Sequence, residues 1–198
     1  EAGGQVAYFM PLLHRPFAAR SNLRNHRKIV IADEELVLSG GINIGQEYLG
    51  PTPQRGRWRD LAFVLEGPAT RFYRDVFASD WAFAKGVAPA DAPGEARATP
   101  SDAVVQVVPS GPDVQGDALY EVVLSTAFAA EERLWIVTPY FVPDDALLQG
   151  ITLAARRGVD VRIIMPERSN HPITDWARGG YLREIQEAGG TVLLYTGG

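Results

Sequence analysis

The residues best equipped for chemistry lie in one stretch, Asn25-His26-Arg27-Lys28-Ile29-Val30-Ile31-Ala32-Asp33, followed by Ser39-Gly40-Gly41-Ile42-Asn43. On a β-strand, side chains alternate between faces, so His26 and Lys28 are expected to point the same way, about 7 Å apart along the strand. Arg27 then points to the opposite face, together with Ile29 and Ile31. Asp33 lies five positions past Lys28, with opposite parity at the strand end, and reads as a structural or orienting acid. Gly40-Gly41 permits a tight turn and a close approach of backbone to a ligand. Asn43 then offers an amide donor beside the strand pair. An imidazole that titrates near neutrality can act as nucleophile or general acid. A neighbouring ammonium can bind a phosphate and stabilise charge on its oxygens. The set suits attack on a phosphodiester and calls for no metal and no cofactor. A bare His-x-Lys is more often a locally bonded histidine and a surface lysine; Asp, double Gly and Asn at this spacing favour the chemical reading.

The elements that must position these residues follow from periodicity. Gln5–Phe9 reads as a short strand, followed by a loop rich in Pro and Arg. His26–Ala32 and Glu35–Ser39 read as a hairpin, and Asp60–Leu65 as a further strand. Pro68 opens a helix over Ala69–Lys85, with Phe72, Val76, Phe77 and Trp81 on one face. Residues 86–101, rich in Ala, Pro and Gly without apolar periodicity, read as a linker. Beyond it, Val104–Val108 is expected as a strand, and Asp117 as the cap of a helix reaching Ala130. Leu134–Thr138 is the next strand. A helix capped by Asp144 or Asp145 runs to Arg157 and is stopped by Gly158. Val159–Met165 is a buried strand, Ile173–Ala188 a helix and Thr191–Tyr195 a strand. Helix and strand thus alternate after the linker, which implies a mostly parallel sheet with helical cover.

Composition narrows the class. The 198 residues include no cysteine, which excludes disulfides and cysteine-ligated zinc or iron–sulfur sites. Apolar runs fall short of the roughly 18 residues that cross a bilayer, and the N-terminal Glu1-Ala2-Gly3-Gly4 carries no signal-peptide pattern. A net charge of −5 argues against a general polyanion-coating protein. The charge is unevenly spread. Residues 1–85 carry +2 and residues 86–198 carry −7, while Pro11–Val30 holds Arg15, Arg20, Arg24, Arg27 and Lys28 and no acid. A local cationic surface in an acidic chain suggests a site for an anionic group; as a charge run alone it would equally suit a solvated loop.

An internal echo bears on domain organisation. Glu1-Ala2-Gly3-Gly4-Gln5-Val6 returns as Glu187-Ala188-Gly189-Gly190-Thr191-Val192, 186 residues later, with Phe9 matched by Tyr195. A helix end, a glycine cap and a following strand therefore occur twice. On this reading the chain holds the back half of one repeat (1–85), a linker (86–101) and the front half of the next (102–198).

The spacing His-x-Lys-(x)4-Asp-(x)6-Gly-Gly-x-Asn, met at His26, Lys28, Asp33, Gly40, Gly41 and Asn43, resembles the signature of the phospholipase D superfamily. The segments 22–28, 41–50, Trp58-Arg59-Asp60 and Thr138-Pro139-Tyr140-Phe141-Val142-Pro143-Asp144 are similar to bacterial cardiolipin synthases. The resemblance implies an α/β fold, a mixed sheet flanked by helices. It further implies that one histidine attacks phosphorus to form a phosphohistidine while a second, from another motif, protonates the leaving alcohol. His26 would be one of the two, with Lys28 and Asn43 binding phosphate oxygens. Asp60 matches the acid that orients the histidine; its alternative is a strand-edge carboxylate paired with Arg57 or Arg59. Gly41, Arg24, Tyr48 and His171 are candidate substrate-binding positions. Tyr48 and Glu47 suit a surface loop equally well, as His171 does. His171 matches a histidine near the active-site mouth.

The complete enzymes carry two motifs, whereas the histidines here are His14, His26 and His171, and neither His14-Arg15-Pro16 nor His171-Pro172-Ile173 begins a second one. Adding the repeat offset to His26 places the second histidine near position 212, past Gly198, so the chain is expected to be a truncated piece without the usual membrane segments. The expected activity of the parent is phosphatidyl transfer between two phosphatidylglycerols, giving cardiolipin and glycerol at a bacterial cell membrane. The expected partners are the phospholipid, the membrane surface, and a second motif from a missing segment or a homodimer partner; no nucleic acid is expected. Two alternatives stand beside this: a phosphodiesterase of the same superfamily acting on phospholipid or nucleic acid, and an inactive piece that lacks its second motif.

Overall fold

The computed structural model describes residues 3–9, 25–52, 54, 56–88, 103–111 and 116–196; Arg24 and residues 89–101 of the expected linker lie outside them. The chain divides into two compact units, Glu1–Ala118 and Leu119–Gly198.

The first unit is built on an antiparallel sheet in the order β1 (Ile29–Ala32), β2 (Leu36–Gly40), β3 (Ala62–Glu66). Alternating apolar residues drive the hairpin, and its turn is set by Asp33 and Glu34. Both take positive φ, +53° and +60°, and the Glu35 N–H donates to the Ala32 carbonyl at 3.1 Å. Aspartate tolerates this region better than most side chains. Register places Ile29 opposite Ser39 and Ile31 opposite Val37, with Leu65 facing Val37 from β3. Helix α1 (Thr70–Lys85) packs against the sheet, and Val37 is fully buried. The buried Thr70 ties the two together: its hydroxyl lies 2.9 Å from the Glu34 and Gly67 carbonyls. Gly86, with φ +68°, closes the helix. The other face of the sheet carries the cross-strand row Val30, Leu38 and Val64, all exposed.

The second unit alternates as expected: α2 (Ala118–Ala129), β4 (Arg133–Val137), α3 (Asp145–Arg156), β5 (Asp160–Pro166), α4 (Pro172–Glu187), β6 (Thr191–Tyr195). The strands form a parallel sheet in the order β4-β5-β6. Central β5 buries Val161, Ile163 and Met165 on one face, where they join Leu134, Phe141, Leu148, Ile151 and Ile185 in one core. Helix α3 starts where the Asp144 carboxylate accepts the Leu147 N–H at 2.9 Å. Its end is closed by Gly158 at φ +89°. The whole is a mixed α/β architecture of sheets flanked by helices, as the resemblance implied.

Three expectations change. Gln5–Phe9 and Val104–Val108 form no strand, because no partner strand offers either a ladder among the described residues. The echo of the first of these, Thr191–Tyr195, is a strand because β5 lies beside it. The turn before each is nonetheless shared: Gly3 has φ +81° and Gly189, its counterpart, +101°. Strand β1 begins at Ile29, not at His26. The Arg27 N–H is taken by the Asn25 side chain at 2.8 Å, and the Gly41 N–H by Leu61 at 2.9 Å. The antiparallel ladder between β1 and β2 ends at the pair Ile29–Ser39, two pairs short of Arg27 and Gly41.

Candidate active site

Three chain segments converge at one end of the antiparallel sheet: the approach to β1, the exit from β2 and the approach to β3. They carry His26 and Lys28, Asn43, and Asp60 respectively. Arg27 turns to the α1 side, where its guanidinium pairs with Asp80; strand alternation assigns its neighbours His26 and Lys28 to the other side. His26 is exposed and Lys28 half-buried. The Lys28 ammonium donates to the His26 carbonyl at 2.6 Å, which holds it beside that residue with two N–H donors to spare. The Lys28 carbonyl in turn accepts the Ser39 hydroxyl at 3.0 Å, fixing the segment to β2.

The double glycine acts differently from expectation. A Cβ at Gly40, whose φ is +147°, would fall 2.2 Å from the Leu61 oxygen and 2.7 Å from the Ala62 Cα. A Cβ on Gly41 would fall 2.3 to 2.5 Å from the Asp60 carboxylate atoms. The close approach is to the chain's own segment entering β3, and the Gly41 N–H donates to the Leu61 carbonyl. The result is that the Asp60 carboxylate lies over the turn that leads to the exposed Asn43, with Oδ1 accepting the Leu61 N–H at 2.7 Å. Arg57 does not pair with it; its guanidinium reaches the Gly50 carbonyl at 3.1 Å.

Asp33 is not brought to this group. It sits in the hairpin turn at the other end of β1, roughly 20 Å of chain from His26. Tyr48 lies in the β2–β3 loop, at the same end of the sheet as His26, with its ring edge-on to Trp58 at 5.5 Å. This loop is pinned by Trp58 N–H donating to the Glu47 carbonyl at 2.8 Å and displays Ile44, Leu49, Trp58 and Leu61 to solvent.

His171 belongs to the second unit, directly before α4, and is exposed. Its ring stands edge-on to Tyr140 at 4.9 Å, and the Tyr140 hydroxyl bonds the Asn170 side chain. The loop that carries it is cross-linked by hydrogen bonds. Buried Arg178 donates to the Pro166 carbonyl at 2.9 Å and pairs with Asp175 at 3.1 Å, while the Ser169 N–H donates to Asp175 at 2.8 Å. The Ser169 bond chiefly, with the Arg178 and His171 charges, holds the Asp175 carboxyl below the usual aspartate range. Asn170 and Tyr140 were not singled out in the sequence; their pairing joins two loops 30 residues apart.

Among the described residues no group of three or more His, Asp or Glu side chains converges as metal ligands would. What the first unit presents is an imidazole, an ammonium, an amide and a carboxylate at one open edge, a set able to hold a phosphoryl group and attack it.

Comparison with known proteins shows what the chain is similar to. Residues 123–197 match the family model described as cardiolipin synthase, PLD-like domain. The whole chain aligns at 37% identity with the cardiolipin synthase of Halalkalibacterium halodurans, covering 40% of that protein. It aligns at 36% with the major cardiolipin synthase ClsA of Bacillus subtilis, covering 42% of it, and at 34% with the probable cardiolipin synthase YwiE of the same organism, covering 40%. The chain thus spans about two fifths of the length of these curated relatives.

Proposed function

We propose, from the similarity of residues 123–197 to a PLD-like domain and of the whole chain to bacterial cardiolipin synthases, that its parent protein is a phosphatidyltransferase that condenses two phosphatidylglycerols into cardiolipin and glycerol. His26 attacks the phosphorus of the first lipid; the N–P bond forms as the P–O bond to glycerol breaks. The departing alkoxide takes a proton from a second imidazole, supplied by another motif of the parent or by a second copy. The hydroxyl of the second phosphatidylglycerol then gives its proton to that second imidazole and attacks phosphorus, and the N–P bond breaks to free His26. Lys28 and Asn43 bind the non-bridging oxygens, where a fixed charge and an amide lower the barrier as negative charge builds. Asp60 orients the imidazole, and Tyr48 with the rest of the β2–β3 loop borders the lipid. His171, beside Tyr140, serves substrate binding. The first unit is the back half of one repeat and the second the front half of the next.

What supports the reading is that the segments carrying His26 and Lys28, Asn43, and Asp60 lie at one end of the antiparallel sheet, beside a loop exposing Ile44, Leu49, Trp58 and Leu61. Exposed apolar side chains next to phosphate-binding groups suit a lipid at a membrane surface better than a nucleic acid, and the overall acidic balance, a net charge of −5, also weighs against a nucleic-acid backbone. Among the described residues no helix is long and apolar enough to cross a membrane. The test is incubation of the protein, expressed from its complete reading frame, with phosphatidylglycerol vesicles. Cardiolipin and free glycerol should appear in equal amounts and both should vanish in His26→Ala. Release of phosphatidic acid without cardiolipin would make the protein a hydrolase, and turnover surviving in His26→Ala would remove His26 from the mechanism.

A further inference from the structure

Both neighbours of His26 are tied to one carboxylate on α1. The Asn25 side chain accepts the Arg27 N–H at 2.8 Å, so residues 25–27 form an Asx turn with His26 at its apex. The other end of the same amide donates to Asp80 Oδ2 at 2.9 Å. The Arg27 guanidinium pairs with Asp80 Oδ1 and donates from its other nitrogen to the Ser110 carbonyl at 2.9 Å. The Arg27 and Asp80 side chains are each only 15% exposed, so the pair sits where water screens it weakly. One carboxylate thus anchors the turn from both sides. Because alternate residues face opposite ways, clamping residues 25 and 27 to the helix side sends the His26 ring to the open side. Lys28, whose ammonium bonds the His26 carbonyl, is carried along.

We propose that Asp80 is a positioning residue for His26, acting through Asn25 and Arg27. This rests on the reading of His26 as the phosphorus-attacking group. The carboxylate touches no substrate. It accepts from the Asn25 amide with one oxygen and from Arg27 with the other, and an amide at position 80 cannot do both. In Asp80→Asn the new NH2 faces the NH2 of Asn25, and the Arg27 charge loses its counter-ion. The exchange variant Asn25→Asp/Asp80→Asn repairs this. The carboxylate introduced at position 25 still accepts the Arg27 N–H, the amide introduced at position 80 donates to that carboxylate, and one negative charge remains in the pair.

The experiment has two arms. In the protein expressed from its complete reading frame, kcat and KM for cardiolipin formation are measured. Asp80→Asn should lower kcat about 100-fold, the scale of an ångström-sized misplacement, with KM within about two-fold. The exchange variant should recover most of the loss. In the 198-residue chain labelled with ¹⁵N-histidine, only His14, His26 and His171 contribute ring signals, and His26→Ala assigns the one of interest. That signal should be single in the native chain and the exchange variant, and doubled or broadened in Asp80→Asn. An unchanged His26 signal in Asp80→Asn, or an exchange variant no better than Asp80→Asn, would overturn the assignment. Should the native protein make no cardiolipin, the proposed activity fails by itself, and the ring signal still decides the role of Asp80.

Discussion

Gly40 and Gly41 are adjacent, yet the same substitution should have very different consequences at each. In Gly40→Ala the new Cβ meets backbone, 2.2 Å from the Leu61 oxygen and 2.7 Å from the Ala62 Cα, at a φ of +147°. Backbone cannot rotate aside. Relief requires β2 and β3 to part where Gly40 faces Ala62, giving up the bond from Gly41 N–H to Leu61. The disfavoured φ costs about 1–3 kcal/mol and the lost bond about 1 more, set against up to about 1 kcal/mol gained by stiffening the unfolded chain. A net loss of about 1–4 kcal/mol follows. In Gly41→Ala the Cβ meets only the Asp60 carboxylate, at 2.3 to 2.5 Å, and a carboxylate can swing away. The cost is the bond from Leu61 N–H to Asp60, about 1 kcal/mol or less after the same offset. Gly41→Ala should therefore fold normally while dislodging Asp60. Urea unfolding followed by circular dichroism reads the stabilities, and hydrogen exchange at β2 and β3 localises the damage. If the two variants lose equal stability, or Gly40→Ala loses less than about 1 kcal/mol, the packing argument is wrong. If Gly41→Ala is stable and keeps full transferase turnover, Asp60 has no orienting role.

Replacing fully buried Ile163 of central β5 by alanine should destabilise the second unit by about 2–5 kcal/mol, measured by denaturant unfolding, since its neighbours on both sides are held in a packed core. Asp144→Ala should lower the melting temperature by a few degrees through loss of the α3 cap, with hydrogen exchange rising first at Leu147 and Leu148. Asp175 is more acidic folded than unfolded, so its contribution is complete above the ordinary aspartate range and is lost as pH falls through its lowered folded value; Asp175→Asn should flatten that part of the acid-unfolding curve. Ile44→Ser/Leu61→Ser, at positions 87% and 76% exposed, should leave the melting temperature within about 2 °C yet weaken sedimentation with phosphatidylglycerol vesicles several-fold; unchanged sedimentation would detach the β2–β3 loop from the membrane.

Much of this protein was legible in its order of residues. The alternation of Ile29, Ile31 and Val37, the Asp144 cap, the Gly158 and Gly189 stops and the buried run Val161–Met165 are local signals, and each element they specify forms near its expected place. The parity that groups Arg27 with Ile29 and Ile31 is also local, and Arg27 meets Asp80 on the α1 side although the ladder has ended. What needed the tertiary structure is everything that depends on a partner distant in sequence. Gln5–Phe9 has strand-like residues but no neighbouring strand among the described residues, so it forms none, whereas its echo beside β5 does. The double glycine reads in sequence only as a place of close approach, and the arrival of β3 identifies Asp60 and Leu61 as its neighbours. Asp80, 53 positions beyond Arg27, becomes the anchor of the histidine turn because α1 folds back onto the sheet. Side-chain periodicity is written in neighbouring residues; a hydrogen bond across a fold is written only in the packing that brings its two ends together.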